Sequence, residues 1–224
     1  MKNKSSRRGF LKATAAGAAV GYFSASNSSQ GSTLRSGYQS VNEQPGIAFI
    51  GTGIRFHTYH AKQALKHGPC VGVCDVDSIQ LGRALQVAID NHREQKRELV
   101  IGAHEDYRHL LDNKDVDVVV IGSVDHWHSR IVIEALRAGK DVYCEKPVTL
   151  TIREGQQILA ALKDSGRVLQ VGTQQRTEFD GRFAKAAAML RDNRIGEVAE
   201  LNICLGGSRE GGVLPLAKVP KNLN

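Results

Sequence analysis

Four groups of residues in this chain have the types and spacing to do chemistry. Gly51-Thr52-Gly53 stands directly after the apolar run Ile47-Ala48-Phe49-Ile50. Two glycines in that setting permit a tight turn and a close approach of backbone amides to a pyrophosphate, and the first turn of a following helix favours the same charge. Asp75 lies 22 residues after Gly53 and closes a second apolar run, Cys70 to Cys74. A carboxylate there accepts hydrogen bonds from the ribose hydroxyls of an adenosine. His126 and His128 form an H-x-H pair, which on extended chain points both rings one way, the first requirement of a metal site. No matching Cys, Asp or Glu ligand cluster stands out nearby, so no metal is expected. The fourth group is Glu145-Lys146-Pro147. By residue type alone, Lys146 is a surface lysine before a turn.

The elements that must position these groups follow from the hydrophobic pattern. Strand, glycine turn, helix (His57, Ala61, Ala64, Leu65), strand and acid from Gly46 to Asp75 make a dinucleotide-binding fingerprint. Thr52, Ile54 and Arg55 belong to the same turn as the glycines. The third glycine of G-x-G-x-x-G is replaced by Phe56, where the helix should pack closely on the strand. NAD is the expected cofactor, because a 2′-phosphate would meet the Asp75 carboxylate. NADP stays open, because Arg55 is long enough to reach a phosphate.

Beyond Asp75 strands and helices keep alternating. Ser78 is the expected N-cap of a helix to about Asn91, and His92 to Glu98 reads as a solvated, mixed-charge face. Val100-Ile101 is a short third strand and Tyr107 to Leu111 a short helix. Val116 to Ile121 is a buried strand, followed by a helix from about Ser129 to Ala138, with Gly139 at its C′ position. Asp141 to Cys144 and Val168 to Gly172 are further strands, with a helix over Ile152 to Ser165 between them. The pattern predicts an α/β fold with a Rossmann-type doubly wound parallel sheet, whose ligands bind at the carboxyl ends of the strands. The glycine turn, Asp75, Ser123 to His128, Glu145-Lys146-Pro147 and Thr173 to Arg176 all follow predicted strands.

Taken together, these motifs resemble the glucose–fructose oxidoreductase/inositol dehydrogenase (Gfo/Idh/MocA) family. The resemblance rests on Gly51-x-Gly53, Asp75, Asp125-His126-Trp127-His128, Ala138 to Pro147 and Gly172-Thr173-Gln174-Gln175, in family order and at family spacing, over about Gly46 to Leu205. It implies a nicotinamide-binding domain followed by an open-sheet domain that holds most of the substrate pocket. It implies that Lys146 sits beside the nicotinamide, where an ammonium bonds a substrate hydroxyl and stabilises negative charge on oxygen as hydride leaves carbon. A cis Lys146–Pro147 bond is implied as well. Ser123, His126, Glu145 and Gln174 are assigned by the resemblance to the cofactor site, and His128 to the helix start or core. Ser123-Val124 stands where the family has Thr-Pro, which alters the backbone of that contact. The implied activity is an NAD(P)-dependent oxidoreductase acting on a sugar, polyol or derivative. An NAD-dependent glycosidase, which the family also contains, and a non-catalytic nucleotide-binding remnant remain as alternatives.

Composition narrows the partners. Of 30 Lys and Arg, five (Lys2, Lys4, Arg7, Arg8, Lys12) fall in residues 1–25 without an acid, which leaves 25 basic against 23 acidic residues elsewhere. The net charge of +7 is therefore no nucleic-acid patch. Ser6-Arg7-Arg8-Gly9-Phe10-Leu11-Lys12 matches the twin-arginine signal, and the mild run Ala13 to Phe23 is too short for a stable membrane span. Export by the twin-arginine machinery to the periplasm, with the cofactor already bound, is expected, and cleavage near Ala25. Residues 26–44, rich in Ser, Asn, Gln and Gly, are a flexible linker. The four cysteines make no framework, since Cys70 and Cys74 on one strand are roughly 13 Å apart. All four are expected as buried thiols, Cys144 nearest the site. Residues 45–173 form the expected dinucleotide-binding domain. Residues 174–224, with a helix over Phe183 to Arg191 and a strand over Val198 to Leu205, form the truncated start of an α+β open-sheet domain. No D-x-x-x-H acid/base pair lies between Gly181 and Asn224. A homo-oligomer is expected where the second domain is supplied.

Overall fold

Six parallel strands in the order β3-β2-β1-β4-β5-β6 form the sheet of the computed structural model, which describes residues 44–98, 100–174, 179–203 and 217–223. β1 (Ile47–Ile50) and β2 (Cys70–Cys74) are buried at every position, as apolar runs between two helical layers must be. β1 pairs with β2 on one side and with β4 (Val118–Ile121) on the other. β5 (Asp141–Glu145) and β6 (Leu169–Gly172) extend the second side. The strand order reverses between β1 and β4, which opens a crevice at their carboxyl ends.

Successive residues of β1 serve opposite cores. Ile47 and Phe49 pack with Phe56, Leu65, Val73, Ala84 and Ala88 on one face. Ala48 and Ile50 pack with Leu110, Ile121, Ile131, Leu136 and Val142 on the other. The first face is covered by a π-helical turn (Phe56–His60) continuing into α1 (Ala61–Ala64), and by α2 (Ser78–Glu94). The second carries α3 (Arg108–Asp112), α4 (Asp125–Arg137) and α5 (Ile152–Ser165). Phe56 explains the first turn. Where a glycine would let helix and strand touch, its fully buried ring stacks edge-to-face on Phe49 at 5.0 Å, and the helix is wound wider there.

Several boundaries differ from expectation. Asp77, not Ser78, caps α2: its Oδ1 accepts from Ile79 N at 2.8 Å and Gln80 N at 3.3 Å. α2 runs three residues past Asn91 and buries His92, so the solvated face begins only at Arg93. β3 is Gly102–His104 rather than Val100-Ile101, and Val100 is exposed. α4 starts at Asp125, four residues early, so His126 and His128 ride a helical turn and not extended chain. α6 (Arg182–Arg191) buries no residue, and residues 198–203 are coil instead of strand, with no ladder partner among the described residues. The rest of that strand, the leader and linker over 1–43, Gln175, Arg176 and Cys204 lie outside the described residues. No helix among the described residues is long and apolar enough to cross a membrane.

At the amino edge of the sheet, carboxylates and one lysine replace missing ladder bonds. Asp117 Oδ2 accepts from Gly46 N at 2.8 Å, and Asp141 Oδ1 from Val168 N at 2.9 Å. Buried Lys140 donates to the carbonyls of Asn113 and Val116 at 2.7 and 2.8 Å. Gly139-Lys140-Asp141 thus belongs to the scaffold, at the edge opposite the site.

Candidate functional site

The crevice at the carboxyl ends of β1 to β4 is a cleft of about 930 Å³ whose walls include Gly51, Gly53, Asp75, His104, Ser123 and Trp127. Gly51 has φ +81°, and a Cβ there would stand 2.4 Å from Ser123 N, so only glycine fits the crossing of the two loops. At Gly53 a Cβ would meet nothing within 4 Å. That open backbone is the cradle a pyrophosphate needs. Buried Ser123 Oγ, on the same wall, has no partner among the described residues. An unpartnered polar atom and an open glycine in one cleft fit a bound dinucleotide.

Asp75 organises the turn. Its Oδ2 accepts from Thr52 N at 2.7 Å and Thr52 Oγ1 at 3.2 Å, and its Oδ1 accepts from Asp77 N at 2.9 Å. Thr52 is fully buried and its hydroxyl is used internally, while Ile54 is 80% exposed and lines no part of the cleft.

A second cluster sits at the end of β5. Buried Glu145 collects five donors. Oε1 accepts from Arg55 Nη2 at 2.9 Å, Arg55 Nε at 3.3 Å and His60 Nε2 at 2.9 Å. Oε2 accepts from Gln174 Nε2 at 3.0 Å and the Lys146 amide at 3.3 Å. Arg55 also lies over the Tyr59 ring, 5.1 Å from its centroid. Burial alone would raise the pKa of Glu145, but the hydrogen bonds from His60 and Arg55, with the Arg55 charge, hold it below the ordinary carboxylate value. Burial lowers the pKa of His60; its bond to Glu145 opposes that and Arg55 adds to it. Arg55 thus faces the β5 end, bonded to a carboxylate, and not the ribose end where a 2′-phosphate would sit.

Lys146 is exposed and is joined to Pro147 by the cis bond the resemblance implies. His128 is buried and bridges two loops, with Nδ1 2.7 Å from the Pro147 carbonyl and Nε2 2.9 Å from that of Ser123. It is helix start and core at once. His126, one turn edge away, is exposed and lines no cleft wall, whereas Trp127 from the same turn does. Divergent rings cannot share a metal, and the described residues contain no cluster of three metal-ligating side chains. Cys70, Cys74 and Cys144 are free and buried, each thiol pushed up to about 12, chiefly by burial. Sequence reasoning missed His60 and Trp127. His60 follows Arg55 by five residues, the period of the π turn, which no simple α-helical pattern reveals.

A doubly wound parallel sheet with an open glycine turn and an acid at the end of β2 defines a dinucleotide-binding α/β protein. The family described as "Oxidoreductase family, NAD-binding Rossmann fold" matches residues 45–173, more than half the chain. The chain belongs to this Gfo/Idh/MocA family. It is 29% identical over 153 residues to an inositol 2-dehydrogenase of Salmonella typhimurium, covering 68% of this chain and 41% of that enzyme. It is 32% identical over 159 residues to a "glycosyl hydrolase family 109 protein 2" of a Shewanella species, covering 66% and 35%. The crystal structure of an NAD-binding protein from Listeria innocua superimposes with a TM-score of 0.54 at 27% identity, covering 69% and 41%. The match spans less than half the length of these relatives.

Proposed function

We propose that this protein is an NAD-dependent oxidoreductase that moves a hydride between the nicotinamide and a hydroxyl carbon of a sugar, polyol or derivative. The observation that carries this reading is the convergence, at one sheet edge, of the open Gly53 turn, Asp75 and the Glu145-Lys146-Pro147 turn. The glycine turn and the first turn of the following helix hold the pyrophosphate, Asp75 holds a ribose hydroxyl and Ser123 Oγ supplies a further polar contact. Bound nicotinamide supplies the hydride acceptor or donor. Lys146 orients the substrate oxygen by an N–H···O bond and stabilises it as its charge grows, help of a kind typically worth about 10²–10⁴-fold. Glu145 fixes the turn behind it through the Lys146 amide. Gln174, tied to the same carboxylate, stands at the start of residues 174–224, which we read as the beginning of the substrate domain.

The test is a panel of polyols and sugars with NAD, followed by nicotinamide absorbance, for the protein and for Lys146→Ala. Turnover on a polyol that falls at least about a hundredfold in the variant is expected. Equal rates in the two proteins would refute the role of Lys146. The similarity to a glycosyl hydrolase family 109 protein favours a second reading, NAD-dependent glycoside cleavage. Release of an aryl leaving group from a glycoside without net change in nicotinamide absorbance would select it.

We further propose export by the twin-arginine route, supported by Ser6 to Lys12. Arg7→Lys with Arg8→Lys should retain the protein in the cytoplasm on cell fractionation, and periplasmic recovery of that double variant would refute the route.

A further inference from the structure

The buried cluster behind Lys146 contains a histidine that the proposed chemistry does not use. His60 and Arg55 share one oxygen, Oε1 of Glu145, each at 2.9 Å. Arg55 lies two residues beyond Gly53 in sequence, and its side chain is 40% exposed. We propose that His60 is a positioning residue that links protons to dinucleotide binding: an anionic dinucleotide at the glycine turn takes up a proton at His60, through the carboxylate that His60 shares with Arg55. The proposal rests on the family reading that the glycine turn takes a dinucleotide.

The argument is electrostatic. Five donors on one carboxylate, three of them on Oε1, make a cluster in which each partner feels the others. His67 lines the same cavity as His60. β5 supplies Glu145 and the Tyr143 ring, 5.8 Å away, and its own helix supplies Arg55 and the Tyr59 ring, 6.3 Å away. The end of β4 offers only uncharged Gly122, packed so closely that a Cβ would stand 2.7 Å from the imidazole Cε1. The end of β6 offers neutral Gln174, on the other oxygen of Glu145. Without ligand, burial and the Arg55 charge both oppose protonation of His60. A pyrophosphate beside Arg55 cancels that repulsion. Glu145 is then freer to pair with an imidazolium. Binding and protonation favour each other, and the linkage is reciprocal, so acidification tightens binding.

The experiment is NADH binding by the whole chain from pH 5.5 to 7.5, read by energy transfer from Trp127, the single tryptophan and a cleft wall. Calorimetry in two buffers of different ionisation heat counts the protons. Affinity roughly fivefold tighter at pH 5.5 than at 7.5, at the low end of the usual range for coupled sites, with net proton uptake on binding, is expected. His104 and His109 line the same cleft, so the assignment to His60 rests on variants. His60→Gln, which keeps an N–H for Glu145 but cannot titrate, should flatten the slope. Arg55→Gln should flatten it too, and decides the matter if the first variant does not fold. NADH binding whose pH slope survives in a folded His60→Gln or Arg55→Gln protein, or that takes up no proton, overturns the proposal alone. Failure of NADH to bind at every pH overturns the dinucleotide reading as well.

Discussion

At Asp75 three donors already converge: Thr52 N, Thr52 Oγ1 and Asp77 N. A carboxylate offers about four acceptor sites, so about one is left for a ribose hydroxyl. The same charge would face the 2′-phosphate of NADP, and Arg55, bonded to Glu145, is not there to screen it. Asp75→Ser should therefore weaken NADH by about ten- to a hundredfold, the range for one hydrogen bond to a charged group, and narrow its advantage over NADPH. Parallel titrations of both nucleotides check this, and tighter NADPH binding by the unaltered protein would reverse the assignment. The Glu145 cluster carries a pH signature as well. The pKa of His60 is lower folded than its ordinary value near 6.5, so the unfolded chain binds more protons on acidification. The pKa of Glu145 is lowered too, and the sign is the same: its contribution is present above the ordinary carboxylate value and lost below it. Thermal unfolding midpoints should begin to fall below about pH 6.5, where the unfolded histidine takes up its proton, level off once the folded His60 is protonated too, and fall again below the ordinary carboxylate range as the Glu145 contribution is lost. Midpoints that rise between pH 7 and 5 would contradict the His60 shift.

Among the elements, those with local signals of their own were legible in the sequence. Ile47-Ala48-Phe49-Ile50 is an apolar run with no alternation, and both its faces are buried. α5 lies where expected because Thr151 and Glu154 form a capping box at its start and Gly166, at φ +62°, ends it. α4 was misplaced because its first turn is polar and its N-cap is Val124, which offers no side-chain cap. Its amphipathic face shows only from His128 onward, so Asp125 to Trp127 pass for loop. β3 lies two to three residues beyond the expected strand because Gly102-Ala103-His104 has low strand propensity, and the sheet imposes the conformation by pairing it with β2. The site divides in the same way. The glycine turn and Asp75 are contiguous signals, whereas the Arg55–Glu145–His60–Gln174 cluster joins residues up to 119 positions apart and exists only once the sheet has formed. Caps legible in sequence should behave as caps: Thr151→Ala should cost about 1 kcal/mol, read from denaturant midpoints. A loss below a few tenths would mean that the box contributes nothing beyond its solvent-exposed bonds.

On the scale of the whole molecule, order is unevenly distributed, and that distribution predicts how the chain opens. The strands β1, β2 and β4 lie between two cores and share a ladder, so their amides open only with the sheet. α6 has helical geometry but buries nothing, and Phe183, Leu190, Val198, Leu201 and Ile203 are all exposed. A ten-residue helix without a packed face has little to hold it beyond its own hydrogen bonds, since isolated helices shorter than about 12–15 residues are marginal in water. Amide exchange should therefore be fast throughout residues 182–203 and slow in β1, β2 and β4, with protection factors differing by several orders of magnitude. NADH in excess should slow exchange at the carboxyl ends of β1, β2 and β4, around Gly51, Asp75 and Ser123, because a ligand that binds only the folded site adds stability there, about 2.7 kcal/mol at a hundredfold excess over its dissociation constant. Residues 182–203 make no wall of the cleft, and their exchange should not change. Protection of α6 equal to that of β1 without ligand would mean that α6 is packed in solution. Protection of α6 only on adding NADH would mean that this helix closes on the nucleotide, and the cleft walls would have to be redrawn to include it.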